Sequence, residues 1–224
     1  MKIDNIGAIA VDLDGTIVAL PQENGEYTWI YDLCAQYGVP CEDAREAYDR
    51  AKGCGFGSRT MILELARMEY LRSGHQQLMF RQAFHAWVRD ALIVFDDARE
   101  AIAQWMREGI PVYVVTTGDR QFQQFKLELA GISVPSGHVL TVLRDEYKTD
   151  EVEELASRHP GTIVVVDDKA SVLDLIRDAN IPASLETIQI VRHDGKYASQ
   201  EARHDHLVVT ALTDIQISTK GAAA

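Results

Sequence analysis

Ile9-Ala10-Val11-Asp12-Leu13-Asp14-Gly15-Thr16, preceded by Ile6-Gly7-Ala8, is the stretch around which the chain is organised. The apolar run from Ile6 to Val11, broken by one glycine, reads as a buried strand, and it stops abruptly at two carboxylates, a glycine and a hydroxyl. In open α/β sheets the ligand crevice lies beyond the carboxyl ends of parallel strands, which is where Asp12 and Asp14 fall if this strand is central. Alternation along an extended chain sends both side chains to one side. Two negative charges then converge, and the pair calls for a cation.

Outward from this stretch the chain divides in two. Between Thr16 and Leu92 every periodic segment is helical: Trp29, Ile30, Leu33, Cys34 and Tyr37; then Ala44, Ala47, Tyr48 and Ala51; then Met61 to Met68 with Ser58 as N-cap; then about Gln76 to Ala91. No strand signal interrupts this block, so it reads as an insertion. From Asp96 onward helices and strands alternate. Asp97 caps a helix that ends at Gly109, followed by a strand at Val112 to Val115 and a helix from Asp119 to Ala130. A strand near Val139 to Leu143, a helix opening at Thr149 or Asp150, and a strand at Thr162 to Val166 come next. A helix over Ala170 to Ala179 precedes strands at Ile188 to Val191 and Leu207 to Val209. Strands separated by helices imply a parallel sheet covered on both faces. The fold class expected is therefore α/β, a doubly wound parallel sheet of Rossmann-like type with an inserted all-helical domain. Residues 1–20 and 93–224 form the core and residues 21–92 the insert. His193-Asp194-Gly195-Lys196 reads as a turn, His204-Asp205-His206 as a solvated turn, and Lys220 to Ala224 as a frayed tail.

Composition narrows the function. The 224 residues are 46% hydrophobic and 25% charged, ordinary for a globular chain, with a formal net charge of -12. That charge argues against a nucleic-acid partner, because such affinity comes from neutralising phosphates with Lys and Arg. Cys34, Cys41 and Cys54 are odd in number and widely spaced, as expected of reduced thiols acting as small buried hydrophobes in the cytoplasm. No window resembles a signal peptide or a membrane span. A monomer or homodimer is expected.

Three other places carry chemistry. Val112 to Val115 runs into Thr116-Thr117-Gly118-Asp119, placing hydroxyls and backbone N–H groups at the positive end of a helix, suited to phosphate; a Thr there also serves as an ordinary cap. Lys148 precedes the next helix and can act as a point charge. Val164-Val165-Val166-Asp167-Asp168 ends an apolar strand in two adjacent acids, costly beside Asp12 and Asp14 without a divalent cation. Capping of the following helix accounts for Asp168 alone.

In that order, the four segments resemble the motifs of the haloacid dehalogenase superfamily in its phosphatase form. The resemblance implies that Asp12 attacks phosphorus and that Asp14, set among acidic neighbours, protonates the leaving alkoxide and later deprotonates water. Thr116, with Thr117, and Lys148 would hold the phosphoryl group. Mg²⁺ is the implied cofactor, bound by the carboxylates of Asp12 and Asp168 and the backbone carbonyl of Asp14, with Asp167 acting through water or from a second layer; Lys169 departs from the small residue that relatives carry. Members that displace halide from carbon lack an acid at the position of Asp14. The helical block resembles a cap, and its Lys52-Gly53-Cys54-Gly55-Phe56-Gly57-Ser58-Arg59 loop resembles one that reaches toward substrate, which makes Lys52 and Arg59 candidates for leaving-group recognition; solvated cations on a connecting loop are the alternative. The substrate expected is a small phosphorylated metabolite. A phosphomutase of the same superfamily, a receiver domain and a catalytically silent phosphate-binding module are the competing readings. Receivers carry their acid pair on the first strand, which weighs against that one.

Overall fold

The structure is a computed structural model that describes residues 2–23, 26–181, 183–193 and 195–218. The first part of the chain forms β1 (Lys2–Asp4), β2 (Ile6–Val11) and β3 (Val18–Ala19), then α1 (Trp29–Ala35), α2 (Cys41–Gly53), α3 (Ser58–Arg67) and α4 (Gly74–Ala91). The second part forms β4 (Ile93–Val94), α5 (Asp96–Arg107), β5 (Val112–Thr117), α6 (Arg120–Leu129), β6 (Val139–Val142), α7 (Lys148–Arg158), β7 (Thr162–Asp167), α8 (Ala170–Asp178), β8 (Leu185–Ile190), β9 (Leu207–Val209) and β10 (Gln216–Ser218).

Six strands form one parallel sheet in the order β6-β5-β2-β7-β8-β9. The first strand of this sheet sits at its middle, and successive strands grow outward first on one side and then on the other. The reversal falls between β2 and β7, and a crevice opens there at the carboxyl ends. Side chains of β2 alternate faces as the pleat demands. Ile9 and Val11 pack with Ala98, Ile102 and Trp105 of α5 and Leu127 of α6. Ala8 and Ala10 pack with Val152 and Leu155 of α7 and Val172, Leu173 and Ile176 of α8. Apolar burial on both faces explains why the central strands read as continuous hydrophobic runs.

The helices α1 to α4 enclose a separate cluster that includes Trp29, Ile30, Leu65, Phe80 and Phe84. Phe122 of α6 is buried in the same cluster, so one helix of the sheet's flank belongs to both packings. The loop between α2 and α3 lies on the turn after β5. A Cβ at Gly57 would come within 2.9 Å of the Asp119 Cβ, so only a residue without a side chain permits that approach.

Several expectations are corrected. Val18–Ala19 pairs antiparallel with Ile93–Val94, so a strand does lie between Thr16 and Leu92; two residues are too short to show alternation. α3 begins at Ser58 with Gly57 as its cap residue and stops at Arg67. α5 starts at Asp96, and Asp97 accepts from Arg192 and from the Leu212 N–H rather than capping. α7 opens at Lys148 itself after a 3-10 turn over Asp145–Tyr147. β8 starts three residues earlier than the Ile188 run, and β1 and β10 pair with each other in parallel, Lys2 opposite Gln216. Cys41 and Cys54 are exposed, leaving Cys34 alone as a buried thiol. His206 is not solvated: its side chain is buried between Asp174 and Thr187. The expected tail at Lys220 to Ala224 and Asp194 of the expected turn lie outside the described residues.

Arg192 links distant parts of the core. Its guanidinium donates to both oxygens of Asp97 at 2.8 and 2.9 Å and to the Thr16 carbonyl at 2.6 Å, and it stacks 4.1 Å from the Phe95 ring centroid. The loop after β2 is thereby held from behind.

Candidate active site

Asp12 follows the last residue of β2, on the α7 side where Ala8 and Ala10 also point. Lys148, 3% exposed at the first position of α7, donates to Asp12 Oδ1 at 2.6 Å and to Asp167 Oδ2 at 2.8 Å. Burial works against the ammonium, yet Asp12 and Asp167 together hold its pKa well above the usual range. For Asp12 the balance tips the other way: burial outweighs the pull of Lys148 and pushes the carboxyl up to about 7.

Asp167 ends β7 with both oxygens engaged, one by Lys148 and the other by the Lys169 N–H at 2.9 Å. Asp168 differs. It is buried, its Oδ1 has no hydrogen-bond partner among the described residues, and it does not cap α8, whose cap residue is Lys169. Burial, then the charges of Asp167 and Asp12, pushes its carboxyl up to about 9. Gly15 makes its position possible. At φ +86° it occupies backbone space that side chains disfavour, and a Cβ there would fall 2.0 Å from Asp168 Oδ2.

Asp12, Asp167 and Asp168 each bring an oxygen within 4.8 Å of the others. Four carboxylates, those of Asp12, Asp145, Asp167 and Asp168, face two ammonium groups, those of Lys148 and Lys169, an excess of two negative charges when all are ionised. An all-oxygen donor set, that excess and an orphaned carboxylate oxygen fit a hard divalent cation.

The hydroxyl of Thr117 donates to Asp145 Oδ1 at 2.6 Å, and Lys169 Nζ donates to the other oxygen at 2.8 Å. Although burial opposes it, Lys169 and then Lys148 keep the Asp145 carboxyl below its usual range. Thr116 is buried at the end of β5. So Lys169, the departure in the fourth motif, braces Asp145.

Asp14 does not face its acidic neighbours. β2 ends at Val11, so strand alternation no longer governs position 14. Its oxygens accept from Lys126 Nζ at 2.6 and 2.5 Å, and Oδ2 also from Gln123 Nε2 at 3.2 Å. Tyr27 from the helical block stands near: its phenol is raised well above the usual range by burial and, next, by the charge of Asp14. Lys52 lies 5.2 Å from the Tyr48 ring centroid, and Arg59 lines a groove with Ile62, Leu63, Gln77 and Arg81. No hydrogen bond among the described residues joins either of them to the acid cluster.

Sequence reasoning missed Lys126, Gln123, Asp145 and Tyr27. For Lys126 a signal existed: it stands four residues after Phe122 and one before Leu127, on the apolar face of α6, where a lysine needs a buried partner. The other three are ordinary residues until the fold brings them together.

Among the described residues no helix is long and apolar enough to cross a membrane. No curated protein matches the chain. Solved structures do. A haloacid dehalogenase-like hydrolase from Burkholderia xenovorans LB400 aligns with TM-score 0.61 and 19% identity, over 92% of this chain and 93% of its own. A phosphatase of the same family from Thermococcus onnurineus aligns with TM-score 0.53 and 19% identity, over 93% and 95%. A dehalogenase solved as an intermediate complex aligns with TM-score 0.54 and 14% identity, over 95% and 96%. At these identities they share its fold. A family model for haloacid dehalogenase-like hydrolases matches residues 6–180, the span that contains β2, the helical block and both acid-bearing strand ends. With its sheet order, its strand-tip carboxylates and that match in agreement, the chain belongs to the haloacid dehalogenase-like hydrolase family.

Proposed function

We propose that the protein is a Mg²⁺-dependent phosphoric monoester hydrolase acting on a small phosphorylated metabolite in the cytoplasm, with residues 21–92 as a cap over a core of residues 1–20 and 93–224. The observation that carries this reading is Asp14. An acid two residues beyond the nucleophile serves an ester, whose alkoxide needs a proton, and is idle for a halide, which leaves as an anion.

Asp12 Oδ attacks phosphorus, the bond to the leaving oxygen breaks, and Asp14, having taken a proton from the bound ester monoanion, gives that proton to the leaving oxygen, leaving an aspartyl-phosphate on Asp12. Water then attacks the same phosphorus, passing a proton to Asp14, and the acyl phosphate bond breaks to release phosphate and restore both carboxyls. Lys148 orients Asp12 and offsets charge on the phosphoryl oxygens, with Thr116 and the Thr117 N–H; the Gly118 N–H is already given to the Val142 carbonyl at 2.9 Å. Asp12, Asp168 and the Asp14 carbonyl would hold Mg²⁺, with Asp167, occupied by Lys148 and the Lys169 N–H, in the outer layer. When bound, the cation neutralises phosphoryl charge and draws the ester toward Asp12.

The test is Asp12→Asn together with chelation by EDTA. Each is expected to lower hydrolysis of phosphate esters by at least about a thousandfold, the scale on which loss of a nucleophile acts. Chelation reverses on adding Mg²⁺. Substantial turnover after either treatment rules the mechanism out.

A further inference from the structure

Lys126 is 1% exposed, and burying a lysine is costly without a committed partner. Its ammonium contacts both oxygens of Asp14, and its charge sits 4.7 Å from the Phe122 ring centroid. Gln123 donates from the same amide nitrogen to Asp14 Oδ2 and, at 2.5 Å, to the Thr117 carbonyl. Two donors that approach one carboxylate from one helix fix its plane as well as its position.

That helix is itself anchored to the cap. The Asp119 carboxylate caps α6 by accepting the Phe122 N–H at 2.9 Å, the Asp119 N–H reaches the Phe56 carbonyl of the cap loop at 3.4 Å, and Phe122 is buried in the cap's core. We infer that Lys126 and Gln123 are positioning residues for the general acid, holding the Asp14 carboxyl toward the leaving oxygen from a helix that the docked cap keeps in register. The inference rests on the phosphatase reading above.

A positioning role for a proton donor has a signature that a structural role lacks. Loss of Lys126 weakens transfer to a poor leaving group, which needs the proton, far more than to a good one, which does not. The measurement is kcat and KM on β-glycerol phosphate and p-nitrophenyl phosphate for wild type, Lys126→Met, Lys126→Arg and Gln123→Met. In Lys126→Met the alkyl-to-aryl ratio of kcat/KM, which reports the first transfer and not the water step that both esters share, is expected to fall about a hundredfold, within the range of general acid catalysis. Lys126→Arg recovers part of the ratio, and Gln123→Met moves it the same way by less, which keeps the test alive if Lys126→Met fails to fold. In an Asp14→Asn background Lys126→Met leaves the ratio where it is, because its effect runs through Asp14. Equal losses of kcat/KM on both esters in an active enzyme overturn the positioning role alone. A wild type that turns over neither ester overturns the phosphatase reading, and this inference with it.

Discussion

Two buried carboxylates six residues apart, Asp168 and Asp174, are treated in opposite ways. Asp174, 2% exposed on α8, accepts from the N–H groups of Arg203 and His204 at 2.9 to 3.1 Å and from the His206 ring at 3.1 Å. Burial alone would raise its pKa, but those backbone donors hold it below the usual range. Asp168 has like charges for neighbours, an orphaned oxygen and a carboxyl pushed up to about 9. The first is a fastener for the loop before β9. The second is a group that its protein neighbours leave unsatisfied, which is why the proposed function assigns it to a cation.

Exchanging the charges tests this contrast most directly. Asp168→Asn is expected to lower esterase activity at least about a hundredfold and to remove any rise in Tm on adding Mg²⁺. It also raises the Tm of the metal-free protein at pH 8. Asp174→Ala does the reverse, sparing Mg²⁺ response while leaving buried donors unpaired at a cost of about 3 kcal/mol, roughly 6–12 °C in Tm for a chain of this size. If Asp168→Asn destabilises the metal-free protein as much as Asp174→Ala does, the contrast fails.

The pH dependence follows the same division. Burial pushes the Asp12 carboxyl up to about 7 and the Asp168 carboxyl up to about 9, both above the ordinary carboxylate range, so the folded state holds extra protons between roughly pH 4 and 9. The metal-free protein therefore loses stability as pH rises through that window, on the order of 1 kcal/mol per pH unit, and Mg²⁺ stabilises it more at pH 8 than at pH 6. Asp174, lowered, contributes stability at neutral pH that is lost only as pH falls below the ordinary carboxylate range. Thermal melts at fixed ionic strength, with and without Mg²⁺, separate the two. A flat metal-free profile from pH 5 to 9 contradicts the assignment.

The smallest effect concerns two adjacent hydroxyls. Thr117→Val, which removes the donor to Asp145, is expected to cost about 1 kcal/mol in stability. Thr116→Ala acts instead on kcat/KM, by about tenfold. Equal effects of both on kcat/KM erase the distinction between them.

The legible parts of this protein are those whose signal lies within one short run of sequence. Asp12, Asp14, Asp167 and Asp168 each interrupt an apolar run, and a charge at the end of a buried strand is visible without any structure. The parallel, doubly covered sheet follows from strands alternating with helices, and every central strand is apolar on both faces; the order of the strands does not. What escaped reading depends on distance along the chain. The partner that takes Asp14 away from the acid cluster is 112 residues off, and the exposed or buried state of His206 is decided by Asp174 and Thr187, 32 and 19 residues earlier. Strands of two or three residues, such as β3 and β4, are below the length at which a period can show.

β1 meets β10 across nearly the whole described chain, and Arg192 braces the Thr16 carbonyl from behind. A ribosome therefore releases residues 2–4 long before their strand partner exists. The loop after β2 lacks its brace until Arg192 has emerged. Nascent chains halted before that point would hold the motifs in sequence yet lack the contacts behind them, so the setting of those motifs comes late in synthesis.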